Sequence, residues 1–414
     1  LPTMAGALHA TPARAVLVIT AYQTALIMAL LPCAALGEWL GYRRVFGWGV
    51  ALFIAASVLC AVSPSLPWLV AARFIQGLGG AAVMALGIAL LRAAVSEKML
   101  GAAIGWNALT VALSSAVSPA LGAVIVAAMG WPWLFFVNLP VGAVALWAAR
   151  ALPVAGGTSQ RIDALSVVLN GVAFAALVLG AEFLPKEPRL TGLLFAAAAL
   201  SLWALVSREA PKSAPLIPLD LLRKRSFRLS VMASICCFTG QAAGMVALPF
   251  YLQHELGLSP LQTGLYMTPW PLSVAVSATA AGRLADRVST AWLCAVGGAL
   301  LALGLLAAGL WPLRGEPRLL IPFTVLCGLG FGLFNVANNR NMFLSAPRQR
   351  SGAAGGVQGA ARLLGQTAGA VLMTLLFTTS AMHAAPRIGM GIGALLALAA
   401  GLLSASRTSL SNPN

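Results

Sequence analysis

The feature that most constrains this chain is a rhythm of charge. From Val16 to Leu36 there is no charged side chain; then Glu38, Gly41, Arg43 and Arg44 crowd into LGEWLGYRRVFGWG, residues 36–49, and from Val45 the chain turns apolar again. The pattern recurs to the far end. A helix that crosses a hydrocarbon core of about 30 Å needs about 20 predominantly apolar residues. Charge-poor runs of that kind fall at roughly 14–36, 45–63, 68–92, 101–128, 132–150, 163–182, 191–207, 229–252, 262–283, 290–310, 319–340, 354–378 and 388–405. Breakers such as Ser63-Pro64-Ser65-Leu66-Pro67, Gly130-Trp131-Pro132, Leu184-Pro185 and Trp311-Pro312 stop one helix and set up the next. With 60% hydrophobic and 9% charged residues there is too little polar surface to coat a soluble globule. The expected fold is an all-α polytopic membrane protein of about thirteen spans.

A net charge of +16 raises the question of nucleic acid, and the placement of the charge answers it. Counted over alternate loops, one set holds Arg43, Arg44, Arg92, Lys98, Arg150, Arg161, Arg208, Lys212, Arg223, Lys224, Arg225, Arg228, Arg283, Arg287, Arg340, Arg348, Arg350 and Arg407. The other holds only Arg14, Lys186, Arg189, Arg314, Arg318 and Arg387. A bias that alternates with every span is the positive-inside pattern, which a nucleic-acid-binding surface would not produce. The basic loops are therefore expected in the cytoplasm, with the C-terminus inside. The opening LPTMAGAL reads as the tail of something rather than a beginning, and one upstream span is expected.

Cys33, Cys60, Cys236, Cys237, Cys294 and Cys327 all lie in apolar segments without metal-ligand spacing and read as small buried hydrophobes. No phosphate-binding Gly-Lys-Ser/Thr loop, metal cluster or Ser-His-Asp set is visible, and His9, His254 and His383 fall on the exterior side. The reading is not an enzyme, with no cofactor and no metal. Energy is expected from an ion gradient.

The 36–49 joint has an echo in AGRLADR, residues 281–287, again with Gly, an acid and Arg at the basic end of a span. An internal parallel repeat is the mark of transporters built from two halves. The expected division is an N-terminal bundle at 1–150, two extra linker spans and the basic loop LLRKRSFR at 151–228, a C-terminal bundle at 229–406 and a short cytoplasmic tail at 407–414.

Several stretches resemble one family. GEWLGYRR at 37–44 resembles the cytoplasmic loop signature G-x-L-A-D-R-x-G-R-R of the major facilitator superfamily, entered partway; RFIQGLGGAA at 73–82 is similar to its fourth-helix signature R-x-x-Q-G. SPALGA at 118–123 resembles the fifth-helix signature G-P-x-x-G-G of its antiporters. WPWLFFVNLPVG at 131–142, YLQHELGLSPLQTGL at 251–265 and SGAAGGVQGAARLLGQTAGA at 351–370 are similar to the fourteen-span drug:proton antiporter branch. The resemblance covers nearly the whole chain. It implies two pseudo-symmetric helical bundles with two linker helices, lacking the branch's first span. It also implies multidrug efflux across the inner membrane by proton-coupled antiport, with a periplasmic adaptor protein as a further partner.

Each candidate residue has a physical reading beside that implication. Gly37, Glu38, Gly41, Arg43 and Arg44, with Gly282, Asp286 and Arg287 in the second copy, form a candidate cytoplasmic latch. Exposed ion pairs are worth only about 0–1 kcal/mol, which suits a junction that opens in each cycle; a solvated positive loop is the plainer alternative. In the resemblance Glu38 stands for the family's Asp and Trp39 for its Arg, while Asp286 and Arg287 keep the pair. Arg73 and Arg362 lie inside spans, where a cation costs about 2.5–3.5 kcal/mol on insertion scales. The resemblance implies a coupling role for Arg73; a structural arginine bonded to backbone carbonyls is the alternative. Ser118, Pro119 and Gly122 combine a helix-bending proline with small residues that let another helix approach, and the resemblance makes this a hinge and proton seal.

All ten acids fall at or near helix ends, so no midplane carboxylate is available to bind a cation or carry a proton. Tyr22, Gln23, Gln76, Asn107, Gln241, Asn335, Asn338 and Asn339, with Trp106, Tyr266 and Trp270 as aromatic walls, are candidates for a substrate cavity, interhelical packing being the alternative for each. The expected function is proton-driven export of small hydrophobic or cationic compounds across the bilayer by alternating access. A narrow metabolite exporter, an uncoupled facilitator and a non-transporting truncated remnant are the rivals.

Overall fold

The computed structural model describes residues 7–8, 17–152, 163–184, 187–211, 216, 218–258, 260–311, 317–380 and 384–407. Among them the regular structure is helical throughout: α1 (Leu17–Leu40), α2 (Tyr42–Ala61), α3 (Leu66–Ala94), α4 (Glu97–Met129), α5 (Trp133–Ala149), α6 (Ala164–Phe183), α7 (Pro188–Glu209), a short helix at Leu219–Arg223, α8 (Arg225–Phe250), α9 (Pro260–Met267), α10 (Pro269–Leu284), α11 (Thr290–Leu310), α12 (Leu320–Ser345), α13 (Ser351–Thr379) and α14 (Ala385–Ala405). Ten of the described helices are long and apolar enough to cross a membrane. Each of the thirteen expected runs is occupied by helix.

Local chemistry sets the ends. Asp163 caps α6 by accepting from the Leu165 amide at 3.1 Å, and Ser289 caps α11 by accepting from the Trp292 amide at 3.3 Å. Pro188 and Pro269 open α7 and α10, where the missing N–H would have had no helical partner. Pro269 also divides the expected 262–283 span into α9 and α10. The expected loop at 37–44 is corrected as well. Helix α1 continues to Leu40 and α2 starts at Tyr42, so the joint shrinks to Gly41, whose φ of 96° strongly favours glycine. Glu38 therefore projects from the last turn of a helix.

The helices group into two compact units. The first contains Leu1–Ala94, Ser118–Asp220 and Pro347–Ala360, and the second Val95–Val117, Leu221–Ala346 and Ala361–Asn414. In the first, α3 packs on α1 and α2, and Val18, Cys60, Leu69, Ala72 and Phe135 form an apolar cluster. Helices α6 and α7 pair, and Asn170 of α6 ties them to α1 by donating to the Met28 carbonyl at 2.7 Å. Buried Glu209 closes that pair by accepting from Ser166 Oγ and, at 2.6 Å, from the Leu216 amide. In the second unit α11 packs on α12 and α14, and α8, α10 and α13 complete a core around Trp270, Leu301, Leu305, Phe334 and Met373.

The units share a packing device. On α2 and α3, a Cβ added to Gly79 would lie 2.7 Å from the Gly49 carbonyl oxygen; on α11 and α12, a Cβ added to Gly297 would lie 2.7 Å from that of Gly330. Backbones approach closely there because no side chain intervenes. Glu38, Gly49 and Arg92 stand at one common sequence offset from Asp286, Gly297 and Arg340. The internal repeat thus reaches well beyond the two motifs that first displayed it. Large apolar side chains such as Leu193 and Trp203 on α7 and Trp147 on α5 are 70%, 68% and 71% exposed, a surface suited to lipid rather than water.

Candidate functional site

In the first unit the acid of the 36–49 joint meets a partner from far along the chain. Glu38, 7% exposed, accepts from Arg350 Nη1 at 2.5 Å through Oε2 and from the Ala353 amide at 2.7 Å through Oε1. Ala353 lies in the first turn of α13, whose unpaired N–H groups and positive dipole end favour an anion. Arg350 also forks onto Asp220, Nε to Oδ2 and Nη2 to Oδ1, both at 3.0 Å. Tyr42 Oη donates to the Gln349 carbonyl and accepts from the Gly352 amide, each at 3.1 Å. Arg92 Nη1 donates to Ser351 Oγ at 3.1 Å. The junction thus joins the ends of α1, α2 and α3 to the start of α13, with Arg350 between two carboxylates.

This arrangement differs from the expected latch. Arg43 donates to the Leu152 carbonyl at 3.2 Å and Arg44 is exposed, so neither is the partner of Glu38. In the second copy Asp286 pairs with Arg340 of α12 at 2.9 Å instead of with exposed Arg287. Gly282 is a point of close approach, since a Cβ there would lie 2.8 Å from the Gly101 carbonyl oxygen within the same unit. A Cβ on Gly37 would lie 2.5 Å from Leu86 Cδ2. Asp220, Arg350, Tyr42 and Arg340 had no signal as a set in the sequence, because their partners are fixed only by the fold.

The second feature of the first unit is the Arg73 network. Arg73 Nε donates to the Val18 carbonyl at 3.2 Å and Nη1 to Gln76 Oε1, while the guanidinium lies 4.2 Å from the Tyr22 ring centroid and 5.8 Å from that of Phe135. Gln76 Nε2 passes the chain on to Ser57 Oγ at 2.6 Å, where Asn138 Nδ2 also donates at 3.3 Å. A mid-span cation is thereby held by neutral acceptors and aromatic faces. Gln76, expected at a cavity wall, is fully buried in this packing.

The other cavity candidates divide. Trp270 is fully buried in the second unit's core, and Asn338, 1% exposed, donates to the Ser230 carbonyl at 3.0 Å. Asn339 is buried and donates to Asn335 Oδ1 at 3.1 Å. Gln23, Trp106 and Asn107 are exposed, and Tyr22, Gln241, Tyr266 and Asn335 half-buried. Among the described residues only Leu134 Cδ2, at 3.8 Å, lies near the missing Cβ of Gly122; the side chains of Ser118 and Pro119 in α4, and the residues His9 and His383, lie outside the described residues. Arg407, expected to open a tail, is buried and donates to Ser230 Oγ, Asn338 Oδ1 and the Ser404 carbonyl. Among the described residues no group of His, Cys, Asp or Glu is placed to hold a metal ion.

Comparison with known proteins agrees with this architecture. The chain is 41% identical to the uncharacterized transporter YebQ of Escherichia coli over 98% of its own length and 90% of the relative's. It is 27% identical to the riboflavin transporter RibZ of Clostridioides difficile, over 92% and 83%, and 32% identical to the multidrug resistance protein Stp of Mycobacterium tuberculosis, over 87% and 68%. Its fold matches the crystal structure of the human organic anion transporter MFSD10 with a TM-score of 0.71 at 16% identity, covering 94% of this chain and 83% of that one. The profile of the Major Facilitator Superfamily matches residues 1–370 and 229–414, and a polytopic helical chain with these relatives belongs to that superfamily of membrane transporters.

Proposed function

We propose that the protein is an exporter of small hydrophobic compounds, driven by inward proton flow, with its basic loops on the cytoplasmic side of the inner membrane. The two homologous segments, 1–150 and 229–406, alternate access to the substrate, and 151–228 supplies two accessory helices. The observation that carries this reading is the Glu38–Arg350–Asp220 junction. It is built from hydrogen-bonded charges at helix ends, a type of contact that can hold in one state and release in another. A proton moving down 100 mV makes about 2.3 kcal/mol available, with any pH difference added. The multidrug relative supports the substrate range.

The riboflavin-transporting relative favours a second reading, a narrow exporter of one metabolite. Dissipation of a pre-formed pH gradient in everted membrane vesicles separates the two. Export of many compounds by antiport predicts a response to several structurally unrelated lipophilic compounds, lost when Glu38 or Arg73 is replaced. A response to a single metabolite selects the narrow reading, and no response to any member of the panel removes proton-coupled export of these compounds.

A further inference from the structure

Among the described residues, Arg362 is a mid-helix cation with an enclosed nitrogen that the packing leaves without a partner. It lies in α13, about 16 Å along the axis from Ser351 at about 1.5 Å per residue, roughly half of a hydrocarbon core of about 30 Å. It is half-buried, and its Nε is enclosed without a hydrogen-bond partner. Arg73 is different, since a carbonyl, an amide and two rings hold it. Among the described residues no carboxylate pairs with Arg362, and the acids of the described helices fall at or near helix ends.

The surroundings in the second unit are polar in the right register. A Cβ added to Gly365 would lie 2.8 Å from the Ile235 carbonyl oxygen and 3.2 Å from the Thr239 amide nitrogen, which fixes the level of α13 against α8. One turn earlier, Arg362 stands near the level of Ser234. On α12, Phe331 stacks edgewise on Phe238 at 5.3 Å and Asn338 reaches Ser230, so Asn335 falls at the same level. Asn335 is half-buried and spends its carbonyl on Asn339. Its amide N–H groups are the donors that remain. Gln366, one turn beyond Arg362 on the same face, is also half-buried. A guanidinium with an enclosed, unpartnered Nε, accompanied at mid-depth by amides, suits an anionic oxygen group and repels a cation.

We propose that Arg362 is the counter-charge for an acidic group on the transported compound, so that the substrates are amphipathic monoanions, carboxylates above all. The inference rests on the export reading and gives its substrate class. The test uses two probes with one fluorophore and opposite charge, N-dansyl-6-aminohexanoate and dansylcadaverine, measured for binding to purified protein and for transport in everted vesicles. The wild type is expected to prefer the carboxylate. Arg362→Gln should weaken carboxylate binding at least tenfold and leave dansylcadaverine unchanged or tighter, and Arg362→Lys should recover much of the loss while both variants keep the wild-type elution profile. Equal loss of both probes in Arg362→Gln, or an unchanged ratio between them, overturns the inference and leaves export standing. Failure of the wild type to transport either probe, while it transports uncharged lipophilic compounds, overturns it too. Failure to transport any compound removes the export reading with it.

Discussion

Glu38 and Arg350 are separated by 312 positions in sequence and joined at 2.5 Å in the fold, with Asp220 on the other edge of the guanidinium. Removing one partner of a buried pair costs about 3–5 kcal/mol where the other charge is left alone, and somewhat less here because Asp220 still compensates Arg350. Glu38→Ala should therefore lower the thermal unfolding midpoint markedly in detergent, because it also strips the acceptor from the Ala353 amide. Glu38→Gln keeps an acceptor for that amide while Asp220 still holds Arg350, so its loss should be smaller. Equal losses for the two variants would show that shape, and not charge, is what the position needs.

The second copy of the motif should respond more weakly. Asp286 is 35% exposed in its side chain where that of Glu38 is 7%, and water takes over part of the lost partnership. For Asp286→Asn the expected loss is about 1 kcal/mol, near the upper end for exposed pairs because Arg340 itself is largely buried. Unfolding of Glu38→Ala and Asp286→Asn, measured side by side, gives the order directly. A larger loss for Asp286→Asn would contradict the burial argument.

These two acids also mark how far the sequence could be read. The helical runs were legible because apolar length and charge rhythm are properties of contiguous residues, and ten of the described helices are long and apolar enough to span. The motif around Glu38 was legible too, from Gly and Arg close by. Its partner was not: Arg43 and Arg44 are the nearest cations in sequence, yet α1 continues through Leu40 and turns Glu38 toward the start of α13. Gln76 and Trp270, cavity candidates by sequence, are both fully buried. A polar or amphipathic side chain in an apolar span fits a cavity and a packed interior equally well by composition, and only burial separates them.

The glycine contacts give a packing prediction. A Cβ at Gly330 would lie 2.4 Å from the Leu301 amide nitrogen and 2.5 Å from the Gly297 carbonyl oxygen, backbone atoms that cannot swing aside. Gly330→Ala should force α11 and α12 apart and cost about 1–3 kcal/mol, the range for overpacking. Gly391→Ala meets nothing within 4 Å in the helix α14 and should be neutral or gain up to about 1 kcal/mol from reduced chain freedom. Thermal unfolding of the two single variants checks the contrast, and a stable Gly330→Ala would mean that the helices accommodate a methyl group there.

Arg73→Lys tests whether charge alone suffices inside a span. The guanidinium reaches the Val18 carbonyl and Gln76 at once while lying 4.2 Å from the Tyr22 ring centroid. An ammonium keeps the charge but lacks the planar fork that serves both acceptors and the ring together. The lost stacking is worth about 0.5–2 kcal/mol, and a hydrogen bond to a charged group about 1.5–3 kcal/mol. If transport depends on this arrangement, Arg73→Lys should lose at least tenfold in initial rate, since tenfold corresponds to about 1.4 kcal/mol. Gln76→Leu, which removes the link between Arg73 and Ser57 without touching the cation, should lose less. Near-wild-type transport by Arg73→Lys, with the protein folded and in the membrane, would assign the position to charge only and leave the Tyr22 stack a packing role.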